Sequence, residues 1–273
     1  EEHTNLELEE IFSSYLTQSG YPMISLNLDG KSLKMSQQPF AQNAESEPST
    51  APIWYIPLQL KMLTKDGMKF KSVILDKEKK NLTLPDGVVS VFPDAFSLGY
   101  YRFKVNSPNR NQKNEDLAYL TDKEKKSWLV NNKDIVKGGY QSYVEVLTKQ
   151  VNLLNDANLN ADIASEIVHG LINSFDKVVP PKLHKKYAQY LAKELSTLRA
   201  SIEWEKYAPN QLLKARLITL FGSKIKDKGA ISFALSHYKD VLKGSSSYGG
   251  RVQNAILDVV ANNSDADMFN EFA

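Results

Sequence analysis

Cysteine is missing from all 273 residues, which excludes disulfides and thiol chemistry and is compatible with either cytoplasm or periplasm. Histidine is scarce. His3, His169, His184 and His237 are the full set, and no two stand four residues apart. A helical zinc site of the His-Glu-x-x-His type needs that spacing, so that both imidazoles face one metal with a glutamate base between them. No apolar run approaches the roughly 18 residues of a spanning helix, so no membrane span is expected. Charge of one sign is lacking too: the net charge is +2, and the basic runs at residues 77–80 and 123–126 are each broken by a glutamate. Such short runs read as solvated turns or helix faces, not as the basic surface of a nucleic-acid binder. The first residues, Glu1-Glu2-His3-Thr4, lack an initiator Met and the basic and apolar parts of a signal peptide, so the start reads as a boundary made by cutting or processing.

What is present divides by periodicity. Leu8, Ile11, Phe12 and Tyr15 fall at i, i+3, i+4 and i+7, one apolar stripe of a helix that Gly20 ends. From Tyr21 the period becomes two. Ile24, Leu26 and Leu28 alternate with polar residues, Asp29-Gly30 turns the chain, and Leu33 and Met35 return as the second arm of a hairpin. Residues 41–52 have no periodicity and read as a surface loop. Alternation resumes at Ile56, Leu58, Leu60 and Met62, turns at Lys65-Asp66-Gly67, and continues through short strands at 68–75, 81–84, 88–92 and 100–105. Pro57 cannot donate to a ladder, so its strand is expected at an edge. Short strands at close spacing predict a small antiparallel β-sandwich over residues 21–106.

From residue 107 the text is helical. Thr121 and Glu124 form a capping-box signature ahead of Trp128, Leu129, Ile135 and Val136, and Gly138-Gly139 stops that helix. Further stripes are Val144, Leu147, Val151 and Leu154, then Ile163, Ile167, Val168 and Leu171. Leu183, Tyr187, Leu191, Leu195, Leu198 and Ile202 predict one long amphipathic helix. Leu213, Leu217 and Leu220 run to an expected stop at Gly222. Ile231, Ala234, Leu235, Tyr238 and Leu242 run to Gly244, and Val252, Ile256, Val259 and Val260 to Asn262. Two helices per roughly 40 residues is the spacing of an α-solenoid of HEAT/armadillo-like pairs, here over residues 107–273. Ser264 and Asp265 read as the cap of one more helix, begun by Met268, Phe269 and Phe272. Its early end predicts a solenoid truncated at the C-terminus and capable of self-association through that edge.

No set of residues assembles a catalytic, cofactor or metal site. Glu166 and His169 form a single Glu-x-x-His pair, half of what a dimetal bundle uses, and read as neighbours on one helix face. The loop from Gly244 to Arg251 has neither the Gly-Lys-Ser/Thr of a phosphate loop nor the Gly-x-Ser-x-Gly of a nucleophile elbow. Trp54, Tyr55, Tyr100 and Tyr101 read as sandwich core and edge, not as a platform for bases. Asn81-Leu82-Thr83 matches a glycosylation acceptor but falls in an expected strand.

Tyr15-Leu16-Thr17-Gln18-Ser19-Gly20-Tyr21-Pro22, followed by Ser36-Gln37-Gln38-Pro39-Phe40, resembles a stretch of the aminopeptidase N family of zinc metallopeptidases. There a W-x-x-Q-x-G-Y-P text leads from the catalytic domain into a β-sandwich with an S-Q-x-x-F strand. Trp54-Tyr55-Ile56-Pro57-Leu58 and Gly99-Tyr100-Tyr101-Arg102-Phe103 are similar to the family's W-x-I-P-L and G-Y-Y-R-V strands. Tyr15 stands where the family has Trp. The resemblance covers about the first 106 residues. It implies that residues 1–20 are the last helix of a catalytic domain, residues 21–106 a spacer, and the helical remainder part of a substrate-chamber wall. The family's zinc ligands, glutamate base and G-A-M-E-N loop precede the matching region, so zinc is expected in that missing catalytic domain and none in this chain. The partners implied are that domain and the parent's peptide substrate. The alternative reading is a stand-alone sandwich-plus-solenoid adaptor whose concave helical face grips a protein partner.

Overall fold

The computed structural model describes residues 4–41, 52–106 and 115–264. The expected surface loop at 41–52, the change of text just after residue 106, and the helix begun by Met268, Phe269 and Phe272 lie wholly or mainly outside them, as does His3. The fold is mixed α and β, and it divides into two compact units, Glu1–Thr148 and Lys149–Ala273.

The first unit opens with α1 (Thr4–Leu16). Seven strands follow: β1 (Pro22–Asp29), β2 (Ser32–Pro39), β3 (Ile56–Thr64), β4 (Gly67–Leu75), β5 (Lys79–Thr83), β6 (Val88–Phe92) and β7 (Arg102–Asn106). They form a four-stranded sheet in the order β5-β2-β1-β7 and a three-stranded sheet in the order β4-β3-β6. Ile24, Leu26, Leu33 and Met35 of one sheet and Ile56, Leu58, Leu60 and Met62 of the other are all buried. Strict alternation turns one side of each strand inward. The two inner faces meet directly at Phe92 and Phe103, whose rings stand edge to face 5.4 Å apart.

Two expectations for the sheets change. The sandwich is not wholly antiparallel: β7 runs parallel to β1, pairing Ile24 with Phe103 and Leu26 with Val105. A parallel pair needs a crossover, and the chain supplies it by visiting the second sheet before returning. Pro57 does not lie on an edge strand, because β3 is the middle strand of its sheet. The ladder explains how proline is accommodated. β6 pairs only with Lys61–Thr64, so at Pro57 the sole ladder neighbour is Ile74 of β4.

After β7 come α2 (Glu115–Ala118) and α3 (Asp122–Lys137), while α4 (Tyr143–Leu154) carries the chain across the division between the units. Thr121 and Glu124 form the expected capping box, and Gly138 caps the end of α3. This helix closes the open side of β7. The buried Asn131 accepts from Phe103 N–H at 2.8 Å and donates to Phe103 C=O at 2.8 Å, as a further strand would.

The second unit contains α5 (Ala161–Lys177), α6 (His184–Glu194), α7 (Ser196–Ala200), α8 (Gln211–Ile218), α9 (Lys228–Leu242) and α10 (Gly250–Ala261). α8 packs between α5 and α10, and α9 packs on α10. The expected long helix from Leu183 to Ile202 is broken at Leu195, where φ is −97° and ψ is 15°. Asn155 Nδ2 donates to Glu194 C=O at 2.9 Å, occupying an acceptor that a continuous helix would use. Nor does Gly222 end its helix. From α8 the chain continues as a π-helix, Thr219–Ile225, and stops at Lys226 in the left-handed region, φ 65°. At Gly222 the missing side chain serves packing: a Cβ there would meet Val259 Cγ2 of α10 at 2.5 Å.

Candidate functional site

The polar residues deepest in the first unit gather where α3 meets the three-stranded sheet. Lys61 projects from β3 and Glu124 from the first turn of α3; their side chains are 6% and 2% exposed, and Nζ and Oε2 lie 2.6 Å apart. Glu124 also accepts from Thr121 N–H at 2.8 Å and from Phe96 N–H at 3.2 Å. Burial, the largest single influence, pushes its carboxyl up. The Lys61 ammonium and the donors at Thr121 and Phe96 outweigh it, and the group sits below the ordinary glutamate range. Asp94, at the other end of the Ala95–Ser97 turn, accepts from Leu98 N–H, Gly99 N–H and the Ser127 hydroxyl at 3.0, 2.8 and 2.7 Å. There burial prevails and raises the carboxyl, with the neighbouring Glu124 charge adding to it. These donors hold the turn although Phe96 and Ser97 have φ of 68° and 55°, a conformation side chains rarely adopt. The cluster fixes α3 to the sheet through Lys61–Glu124 and to the turn through Ser127–Asp94.

The quoted sequence texts resolve into structural roles. Gln18 donates to Ser14 C=O and Ile53 C=O, tying the end of α1 to the strand that follows the loop. Gly20 has φ 86°, which glycine permits at no steric cost. Gln37 is buried between the sheets: its Nε2 donates to the carbonyls of Trp54, Leu75 and Lys77 at 2.8, 3.3 and 3.1 Å, and its Oε1 accepts from Trp54 N–H at 2.9 Å. Arg102 pairs with Asp134 at 2.7 Å and covers the Tyr21 ring, which stacks on Phe40. Tyr101 is buried, and its hydroxyl donates to Pro93 C=O. Trp54 is buried completely, Tyr55 is half-buried and Tyr100 is exposed. No two of these four present a common stacking face. Asn81 lies in β5, paired with Lys34 of β2.

The described histidines are dispersed. His169 Nε2 lies 2.9 Å from Asn173 Nδ2 on α5, and Glu166 pairs with Arg216 at 2.9 Å. His184 Nε2 is 2.9 Å from Val179 C=O, and its ring stands edge-on to Phe175. His237 Nε2 lies 2.8 Å from Glu205, with its ring against Phe233 and Tyr248. Among the described residues no three His, Asp or Glu side chains could hold a metal ion together. Among the same residues no helix is long and apolar enough to cross a membrane. The loop at Gly244 joins α9 to α10, and Gly249 is the residue from which α10 starts.

One feature of the first unit points outward. On α1, Leu8 and Phe12 of the expected stripe are 46% and 62% exposed while its Ile11 and Tyr15 are half-buried, and Leu16, one turn beyond Phe12, is 81% exposed. The exposed Tyr100 extends the patch, its ring 6.0 Å from that of Tyr15.

No family model matches the chain. Partial similarities link it to aminopeptidases. "Probable aminopeptidase 1" of Saccharolobus solfataricus is 30% identical over 102 residues, 37% of this chain and 12% of that protein. A protein of the same name from Sulfurisphaera tokodaii is 24% identical over 169 residues, 59% of this chain and 20% of that protein. "Endoplasmic reticulum aminopeptidase 1" of Mus musculus is 23% identical over 96 residues, 35% of this chain and 10% of that protein. The chain thus contains an aminopeptidase-related region, and the match spans at most a fifth of the length of these three relatives.

Proposed function

We propose that this chain is the non-catalytic C-terminal part of a zinc-dependent aminopeptidase of the aminopeptidase N family. On this reading residues 1–20 are the last helix of the catalytic part, residues 21–106 a spacer, and residues 107–273 helix pairs of the HEAT/armadillo kind that wall the substrate chamber. The observation that carries the reading is the α1 stripe. Three large apolar side chains at one-turn intervals are left to water immediately ahead of a well-packed sheet. Burying each is worth roughly 1.5–3 kcal/mol, so such a face calls for a covering body. The similarity to aminopeptidases gives that body its class. The packing of α8 between α5 and α10, with α9 on α10, follows the next-but-one adjacency of stacked helix pairs and supports the solenoid. Zinc and the general base belong, on this reading, to the catalytic part.

The test has two arms. The codons ahead of Glu1 should encode an H-E-x-x-H in the same reading frame; a start codon adjacent to Glu1 would overturn the proposal in favour of a stand-alone binding module. The 273-residue chain should carry no stoichiometric zinc and turn over no aminoacyl amide, while the longer polypeptide does both. In that polypeptide Phe12→Asp with Leu16→Asp should lower stability and activity, and in the short chain the same pair should change neither fold nor solubility for the worse.

A further inference from the structure

A cleft of about 600 Å³ opens in the second unit between α6 and the end of the π-helical segment. Its size falls within the range of small-molecule sites. The walls are of two kinds. Phe175, Ala188, Ala192 and Ile225 make an apolar side, and Lys185, Lys224 and Lys226 line the same space, with no carboxylate among the lining residues.

The backbone that delivers two of these lysines is unusual. Lys224 lies in the π-helical stretch Thr219–Ile225, and Lys226 ends it in the left-handed region. Left-handed backbone at a lysine is costly, and π-helical segments recur at functional sites. The local acids are already committed. Asp258 accepts from the Ser223 hydroxyl at 2.7 Å and from Asn262 Nδ2 at 3.1 Å. Asp176 lies 3.3 Å from Lys224 and is, among the described residues, the carboxylate paired to one of the three lysines. Lys226 donates to a neutral acceptor, Asn262 C=O, at 2.8 Å. Burial, with the neighbouring Lys224 charge, depresses the Lys226 ammonium despite the opposing pull of Asp258. Among the described residues the three cleft lysines thus outnumber the carboxylate paired with them.

We propose that this cleft is a binding site for an organic anion, its apolar body against Phe175, Ala188, Ala192 and Ile225 and its carboxylate or phosphate held by Lys185, Lys224 and Lys226. Lys224 already lies over the Phe175 ring, 5.7 Å from its centre, so an aromatic body would enter beside an existing cation–π contact. The site does not depend on whether the chain belongs to a peptidase.

Calorimetric titration of the 273-residue chain with 1-naphthoate, 1-naphthylmethanol and inorganic phosphate tests the proposal. The expected result is one saturable site for naphthoate with a Kd of ~1 mM or tighter, and weaker binding of both comparison compounds by about tenfold or more. Lys224→Met with Lys226→Met should weaken naphthoate by about tenfold or more while keeping the lysine stems' apolar volume. Ala192→Phe should abolish binding by filling the apolar side. Lys185→Met, on the exposed face of α6, gives an independent reading should the double variant unfold; it should weaken binding severalfold. No saturable binding, equal binding of the neutral alcohol, phosphate binding as tight as naphthoate, or affinity unchanged in both lysine variants would each overturn the proposal.

Discussion

Replacing Glu124 by Gln removes a single charge from the interior of the first unit and should be among the most damaging changes of its size. Thr121 N–H is held by Oε2 and Phe96 N–H by Oε1, so the single amide oxygen can keep the Thr121 cap only by turning its NH2 towards Phe96 N–H, and the strained turn loses its acceptor. What is lost is the partner of Lys61, whose ammonium is then left 6% exposed with no counter-charge. Removing one member of a buried pair costs about 3–5 kcal/mol. Replacing Lys61 by Met should cost about 1.5–3 kcal/mol, because the Glu124 carboxylate keeps its two N–H donors. With both changes the charge pair is gone and the cost that remains is the Phe96 N–H without its acceptor, about 1–3 kcal/mol, so the double variant should be less destabilised than Glu124→Gln alone. The coupling energy is thus expected to exceed about 2 kcal/mol. Urea unfolding in a Trp204→Phe background reads this unit alone, since Trp54 and Trp128 lie in it and Trp204 in the other. Additive single costs, or a Glu124→Gln cost below about 1 kcal/mol, would refute the argument. The acid limb supplies a second reading. A carboxyl held below its unfolded value contributes stability at neutral pH that is lost as pH falls through the folded value. Glu124→Gln should therefore flatten the acid limb. Asp94, held above its unfolded value, favours folding at low pH and loses that contribution as pH rises. Asp94→Asn should leave the acid limb in place.

Three further outcomes follow from the packing. Gly222→Ala should destabilise the second unit by about 1–3 kcal/mol, because the new methyl meets Val259 of α10. Gly170→Ala, in the exposed interior of α5 where a Cβ meets nothing within 4 Å, should stabilise the same unit by about 0.5–1 kcal/mol, and thermal melts of the pair should move in opposite directions. Gln37→Leu keeps the volume but strands three carbonyls and the Trp54 N–H, each worth about 1–3 kcal/mol, and should show as fast hydrogen exchange at Trp54 and Leu75.

How much could be read in advance depended on whether the cause was local. The first hairpin was legible because alternation and Asp29-Gly30 act within a few residues, and the capping box because Thr121 and Glu124 are one turn apart. That Glu124 would also take a lysine 63 residues earlier was not legible, since nothing near Lys61 marks it as buried. Gly222 carried two meanings, helix stop and close approach, and only the position of Val259 separates them. The long helix from Leu183 to Ile202 reads as continuous because its apolar period is continuous; the break at Leu195 sits beside a hydrogen bond from a distant residue, Asn155, that the period does not reveal. Alternation gave each strand its inward face but not its neighbour, so the parallel pairing of β7 with β1 stayed hidden. The cleft lysines are about 40 residues apart along the chain and share no pattern.

The α1 stripe marks where a reading from periodicity stops. A 3.6-residue period says that one side of a helix seeks burial, and it is silent on what provides it. The texts resembling the peptidase family share this limit. Gln18, Gly20, Gln37, Tyr101 and Arg102 each satisfy a backbone carbonyl, permit a turn, or pair with a charge inside the first unit. Replacing Gln18, Gln37 or Tyr101 would take a partner from a backbone carbonyl, replacing Arg102 would take one from Asp134, and replacing Gly20 would strain the turn, which is reason enough for such a text to recur wherever this sheet pair is built. The resemblance is therefore a statement about a scaffold, and it attaches to catalysis only through whatever the scaffold holds. Among the described residues one unfilled apolar face of the scaffold is that of Leu8, Phe12 and Leu16, at the end of the described chain that leads into β1. If the proposed catalytic part covers that face, a change there should alter catalysis while leaving the isolated sheets intact.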